Sequence, residues 1–151
     1  MQHFRFIIIN ILFFGGFFFL LSLLFPSQVH VSKTATIPVN RAEVQKQIAD
    51  TTNWKSWNNL IQKGTFSGQI LQEGDSTFQI KMILDGVQLT NRILMLPQSE
   101  QATLVNYTLI QSLPWYKPWQ KLGALLTEGQ WGRPVEASLE NLSKRVGNNL
   151  P

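Results

Sequence analysis

The chain opens with one long apolar run and then turns to shorter, regular patterns. Residues Phe6–Phe25 carry no charge, and their polar side chains are Asn10 and Ser22. A helix of about 20 residues spans the ~30 Å hydrocarbon layer of a bilayer. Because the run has no polar face to turn toward water, it fits a membrane span better than a buried core helix. We therefore predict a transmembrane anchor at residues 1–26, which contacts the bilayer through Phe6–Phe25, and one domain at residues 27–151.

A cleaved signal sequence is the main alternative for this run. Signal sequences have shorter apolar cores and a pair of small residues at the cleavage site, and no such pair fits well after Phe25. Arg5 precedes the run, which favours a cytoplasmic N-terminus, although Lys33 and Arg41 on the far side weaken that bias. We expect a single-pass protein of a bacterial inner membrane with its domain exported.

A strand and a capped helix follow the apolar run. Apolar and polar residues alternate over Val29–Ile37, which is the period of a strand. Asn40 and Glu43 have the spacing of a capping box at the start of a helix. Val44 and Ile48 lie one turn apart and predict the buried stripe of that helix.

The end of this helix is marked by a misplaced carboxylate and two tryptophans. Asp50 is unfavourable at a helix C-terminus, so we expect it to cap a short turn that follows. Trp54 and Trp57 are three residues apart, and we interpret them as packing anchors rather than ligand contacts.

From residue 65 onward the pattern indicates consecutive hairpins. Strand-like alternation covers 65–72, 77–84, 87–96 and 102–112, and the turns between them are 73–76, Asp85–Gly86 and Pro97–Gln101. No helical pattern separates these strands, so we predict an antiparallel sheet. The inward-facing set is Phe78, Ile80, Met82, Leu84, Val87, Leu89, Ile93, Met95, Val105, Tyr107 and Leu109, with Leu104 and Ile110 as competitors on the last strand. Asn91 falls on the apolar face of its strand, where a polar group needs a partner or a ligand.

The sequence after the last strand predicts an irregular connection followed by a long helix. Two prolines and three aromatic residues fall within Pro114–Trp119 and break the strand pattern. We predict that the last helix starts near Arg133–Pro134, because proline is favoured in the first turn. Its apolar stripe is Val135, Leu139, Leu142 and Val146, and Gly147 ends it.

This order of elements resembles the SRPBCC or START-like helix-grip superfamily, which includes START-type lipid-transfer domains and polyketide cyclase/dehydrase-like proteins. The most specific part is residues 31–57, through Val31, Thr34, Ile37, Val44, Ile48, Asp50, Asn53, Trp54 and Trp57. The resemblance covers essentially the whole domain and departs at Asn40–Arg41, where relatives often have prolines. It implies an α+β fold in which a curved antiparallel sheet wraps around a long C-terminal helix and encloses an apolar cavity.

Composition argues against several kinds of chemistry. The net charge of +4 is spread along the chain without a basic run, so we expect no nucleic-acid partner. The chain has no cysteine and two histidines, which excludes a cysteine/histidine zinc site. A Ser-His-Asp arrangement would have to use His30, since His3 precedes the apolar run. We predict no catalytic residue, no metal and no cofactor.

The carboxylates have simpler explanations than catalysis. Glu73, Asp75, Asp85 and Glu100 lie in predicted turns, where turn formation and solvation account for them. Glu136 and Glu140 lie beside the apolar stripe of the last helix, and a solvated helix flank is favoured over a place at the mouth of a cavity.

We predict membrane-tethered, non-catalytic binding of a hydrophobic small molecule or lipid. The candidate cavity residues are Phe78, Ile80, Met82, Leu89, Asn91, Ile93, Met95, Val105, Tyr107, Leu139 and Leu142, of which Asn91 and Tyr107 would orient the guest. Trp115, Tyr116 and Trp119 suit a membrane interface near the cavity entrance, or else close the core. The alternatives are a cyclase or dehydratase of the same superfamily and a protein-interaction or co-chaperone-like module.

Overall fold

The first element is an apolar helix that has little contact with the rest of the molecule. The computed structural model of the chain describes residues 2–62, 67–84, 87–114 and 117–148, with the backbone alone at 2–3, 67–73, 118, 122 and 124–130. The helix α1 spans Gln2–Leu24. Its part Phe4–Leu24 is long and apolar enough to cross a membrane, and 6% of this stretch is buried. A signal sequence would pass the same test, because the helix lies near the N-terminus.

The predicted strand, cap and turn are confirmed after α1. The strand β1 spans Gln28–Ile37 and the helix α2 spans Arg41–Ala49. The Asn40 Oδ1 atom accepts a hydrogen bond from the Glu43 amide at 3.0 Å, which caps α2. Asp50 in turn accepts from the Thr52 amide at 3.1 Å and caps a single 3₁₀ turn, Thr51–Asn53.

Two short helices place the tryptophans in the core. They are α3, Trp54–Trp57, and α4, Asn59–Gln62. Both indole rings are fully buried, with ring centroids 5.0 Å apart. Trp54 donates its Nε1–H to the Ile48 carbonyl at 2.8 Å, which ties α3 back to the end of α2. The prediction that these side chains act as packing anchors agrees with this burial.

In the described part of the chain, five strands form one antiparallel sheet in the order β1-β5-β4-β3-β2. The remaining strands are β2 (Ser67–Glu73), β3 (Thr77–Leu84), β4 (Val87–Ser99) and β5 (Ala102–Ser112). The predicted antiparallel sheet is therefore confirmed. Gly74 has φ of +77° in the turn between β2 and β3, a conformation that glycine adopts without strain. The predicted Asp85–Gly86 turn lies outside the described residues.

The predicted turn at Pro97–Gln101 is too long. The strand β4 continues to Ser99, and the turn is Glu100–Gln101. Pro97 pairs with Thr103, and the register of the β4–β5 ladder shifts between Pro97 and Ser99. Proline has no amide hydrogen, so it is tolerated where an irregularity already interrupts the ladder.

The predicted start of the last helix is wrong. The helix α5 spans Pro118–Asn148 and contains Pro134 in its interior. Pro118 takes the first helical position, where proline loses no hydrogen bond. Inside a helix proline costs about 3 kcal/mol, and burial of the stripe that follows Pro134 offsets this cost. That stripe is confirmed, since Val135, Leu139, Leu142 and Val146 are all buried.

The core lies between α5 and the inner face of the sheet, by which we mean the face that carries the inward-facing residues. The helix α5 lies against β1 and β5 and also contacts α2, α3 and α4. Val105, Tyr107 and Leu109 are buried, whereas the competing residues Leu104 and Ile110 are half-buried, so the alternation on β5 is as predicted.

Candidate functional site

The predicted cavity residues come together on the inner face and against α5. All of them are buried, with exposed fractions of 3% or less: Phe78, Ile80, Met82, Leu89, Asn91, Ile93, Met95, Val105, Tyr107, Leu139 and Leu142. Side chains with so little accessible surface leave no room beside them for a lipid-sized molecule in this conformation. A guest that contacts them requires α5 or these side chains to move, and their role in binding stays a prediction.

Asn91 is the polar residue in the middle of this apolar set. It is fully buried on β4, with Ile80 on β3 and Leu109 on β5 as its neighbours in register. Its Nδ2 atom lies 3.5 Å from the Met82 sulfur, and its Oδ1 atom has no hydrogen-bond partner. The thioether sulfur carries no hydrogen, so the amide nitrogen has to face it and the oxygen has to face elsewhere. A buried acceptor without a partner costs about 1–3 kcal/mol, which a hydrogen-bonding guest would recover.

Tyr107 belongs to a buried polar network. Asn58 donates through Nδ2 to the Tyr107 hydroxyl oxygen at 3.0 Å, and the Asn58 oxygen accepts from the Leu60 amide at 3.1 Å. Ser138 on α5 accepts from the Asn59 amide at 2.9 Å. Burial raises the pKa of Tyr107 well above its usual value, although the hydrogen bond from Asn58 opposes this rise. The hydroxyl therefore stays protonated at physiological pH. Its bond with Asn58 joins the sheet to the short helices, and Ser138 extends the network to α5.

The end of α1 is held by a lysine from α5. Lys121 is 2% exposed, and its Nζ atom donates to the carbonyl oxygens of Ser22 at 3.1 Å and Phe25 at 3.4 Å. Carbonyl groups in the last turn of a helix have no partner within the helix, and this end of the helix dipole is negative. Lys121 therefore caps α1 from a distant part of the chain.

Two further contacts close the same junction. The Trp119 ring lies 5.6 Å from the Phe18 ring, centroid to centroid, and 68% of Trp119 is exposed. The Leu113 amide donates to the Ser27 carbonyl at 2.8 Å, which extends the β1–β5 pairing almost to α1. The end of α1, the start of β1 and the start of α5 thus form one connected structure. Trp115 and Tyr116, the other two predicted interface residues, lie outside the described residues.

A polar groove opens elsewhere, between β1 and α5. Its volume is about 370 Å³, and its lining comprises Lys33, Thr34, Ala35, Glu136, Leu139, Glu140 and Ser143. Lys33 and Glu136 form an ion pair across it at 3.3 Å. Exposed ion pairs of this kind contribute little to stability. The groove therefore combines charged side chains with apolar surface from Ala35 and Leu139.

Comparisons with solved structures identify the architecture. The chain is similar to a START superfamily protein from Mycobacterium smegmatis, with a TM-score of 0.62 and 17% sequence identity over 80% of this chain and 99% of that one. The fold is START-like. A conserved protein from Geobacillus kaustophilus matches with a TM-score of 0.57 and 10% identity, over 80% of this chain and 96% of that chain. The Zhui aromatase/cyclase from Streptomyces sp. R1128 matches with a TM-score of 0.50 and 13% identity, over 82% of this chain and 96% of that chain.

At these identities the likeness concerns the fold of the START-like domain. No protein-family model matches the sequence, and no curated protein matches it. The predicted α+β class, with an antiparallel sheet and a C-terminal helix, is confirmed.

The described inner-face residues of the START-like domain offer hydrogen-bonding groups, and two charged side chains that could transfer protons lie elsewhere. Arg92 is exposed on the outer face of β4, where its Nη2 atom lies 3.4 Å from the Gln79 oxygen. Glu140 is exposed, and the hydrogen bond from Lys144 holds the pKa of its carboxyl below the usual value. Within the described residues, no group of three His, Cys, Asp or Glu side chains could hold a metal ion.

Sequence reasoning missed the structural roles of three residues of this START-like domain. Lys121 and Asn58 act through partners far away in the chain, and no local pattern marks either of them. Gln111 follows Tyr107 and Leu109 at the same alternation on β5, so the strand pattern itself could have placed it on the inner face.

Proposed function

We propose that this START-like domain is anchored in a membrane by α1 and binds a hydrophobic small molecule or lipid between the inner face and α5, without catalysis. The observation that carries the proposal is Asn91, whose free carboxamide oxygen is fully buried among apolar side chains. Such a group is rare in a core that has only a structural role, because it weakens that core. In a binding site the same group orients a guest.

The contacts at the end of α1 support access from the membrane. Phe18 lies about 9 Å before the end of α1 at 1.5 Å per residue, so if α1 spans the bilayer, a Trp119 ring in contact with it lies within the outer part of the hydrocarbon layer. The same contacts hold the start of α5 at this level. A guest that passes between α5 and the sheet at this end would leave the bilayer without crossing water.

The closed inner face sets an energetic condition on this proposal. Burial of apolar surface contributes about 25 cal/mol per Å², so a guest that buries about 300 Å² gains about 7 kcal/mol before ordering costs. This gain has to exceed the cost of moving α5 or the inner side chains. We therefore expect slow uptake and slow release.

Photolabelling of the full chain in lipid nanodiscs tests the proposal. The probe is a long-chain alkane with a diazirine group near one end, added to the bilayer and photolysed. We expect adducts on the inner-face peptides of β3 and β4 as well as on α1. Two results together would exclude binding in the domain. Adducts would be confined to α1, and the probe would leave the rate of hydrogen exchange in the sheet unchanged.

The near-zero accessibility of the predicted cavity residues favours a second candidate, a protein-interaction module. In that case the packed core is only a scaffold, and the outer surfaces bind a partner. Absence of labelling on β3 and β4 would support this candidate over the first. The cyclase or dehydratase alternative has less support, because the Tyr107 hydroxyl is fully buried and its oxygen already accepts a hydrogen bond from Asn58.

A further inference from the structure

A second buried amide oxygen lies near Asn91. Gln111 is the next-to-last residue of β5 and alternates with Tyr107 and Leu109, which places it on the inner face. The residue is half-buried overall, but its Oε1 atom is buried and has no hydrogen-bond partner. Two of the buried side-chain oxygens without a partner are therefore found on adjacent strands of one face.

The register of β4 and β5 makes these two amides close neighbours. Asn91 is opposite Leu109, and Leu89 is opposite Gln111, so Asn91 and Gln111 are diagonal neighbours across the ladder. Diagonal neighbours have Cα atoms about 7–8 Å apart, which lets long side chains direct their ends to a common point. Met82 and Leu89 pair with each other beside this point and give it apolar walls.

This amide pair lies at the end of the sheet nearest the membrane helix. Gln111 pairs with Val29, near the start of β1, and the Leu113 amide two residues later bonds to Ser27. Ser27 comes shortly after α1 ends at Leu24. A guest that approaches from the bilayer would meet the amide pair early on its path.

Resting on the proposed function, we infer that the guest is a neutral lipid whose polar end donates hydrogen bonds, such as a long-chain alcohol or diol, and that Asn91 Oδ1 and Gln111 Oε1 accept them. Both free atoms are acceptors, so they match hydroxyl hydrogens and repel the oxygens of a carboxylate, sulfate or phosphate. The described inward-facing residues of β3, β4 and β5 include no lysine, arginine or histidine to balance an anion. Two cations on neighbouring elements already have partners, since Lys121 bonds to the Ser22 and Phe25 carbonyls and Lys33 pairs with Glu136.

Three diazirine probes of equal chain length test this inference in nanodiscs that contain the full chain: the alkane, the primary alcohol and the alkyl sulfate. We expect the alcohol to label the β3 and β4 peptides at least five-fold more than the alkane, and the sulfate to label them least. Asn91→Leu and Gln111→Met should each reduce labelling by the alcohol to the level of the alkane. Gln88→Met, at an exposed position on β4, is the matched control and should label like the wild type.

The outcomes separate this inference from the proposed function. Equal labelling of the inner face by alkane and alcohol would overturn the inference and leave the proposed function standing. Stronger labelling by the sulfate would overturn it as well. Absence of inner-face labelling by all three probes would mean that the proposed function itself is wrong. Thermal unfolding confirms that the variants fold, and we expect Asn91→Leu to melt above the wild type without probe, since it removes an unpaired buried oxygen.

Discussion

Replacement of Lys121 by methionine should loosen the start of α5 from the end of α1. Methionine keeps an unbranched side chain of similar length and removes the two hydrogen bonds, at 3.1 and 3.4 Å, to the Ser22 and Phe25 carbonyls. Hydrogen bonds that involve a charged group contribute about 1.5–3 kcal/mol, and a cation at a helix C-terminus contributes about 0.3–1 kcal/mol. Desolvation of the buried ammonium removes part of this gain. We expect a net loss of about 2 kcal/mol at the junction.

Hydrogen exchange followed by mass spectrometry, on the full chain in nanodiscs, measures this loss directly. A change of about 2 kcal/mol raises the open population about 30-fold, and exchange of the first turns of α5 should accelerate by that factor. The Gln120 amide, which bonds to the Lys117 carbonyl at 3.0 Å, is one reporter. Lys81→Met, at an exposed position on β3, is the control. Unchanged exchange in Lys121→Met would show that the cap does not couple α5 to α1.

Two further predictions concern stability. Burial raises the pKa of Tyr107 in the folded state above its unfolded value of about 10, so the folded state holds this proton more tightly. The resulting stability is complete below about pH 10 and is lost as the pH rises further. In urea unfolding between pH 8 and 11, the free energy of unfolding should therefore decline more steeply with pH for the wild type than for Tyr107→Phe. Parallel pH curves for the two proteins would contradict this. Asn40→Ala removes the bond to the Glu43 amide and should lower the free energy of unfolding by about 1 kcal/mol, whereas Gln88→Ala, the exposed control, should change it by less than about 0.5 kcal/mol. Equal effects of these two alanine variants would argue against the cap.

Local patterns in the sequence were enough to predict most of the elements. The caps at Asn40 and Asp50 involve neighbours two or three residues away, so the spacing alone predicts them. The inward-facing residues follow from alternation, because each of β1, β3, β4 and β5 turns one face toward the core. The buried position of Asn91 was predicted for the same reason.

Patterns that compete with one another led to errors. Pro134 is favoured at the first turn of a helix, yet it lies inside α5, because the contacts of α5 with the sheet and with α1 extend the helix to Pro118. Pro97 was placed in a turn, yet it continues β4 up to a shift in register.

The sequence by itself determined an apolar N-terminal helix, an antiparallel sheet and a C-terminal helix with one buried stripe, since each depends on residues close together in the chain. Only the tertiary structure decided how these parts meet. Lys121 and Ser22 are 99 residues apart, and Asn58 and Tyr107 are 49 apart, so no local periodicity relates them. The same holds for the tight packing of the inner face, because the space that remains between a sheet and a helix depends on how side chains from distant segments fit together.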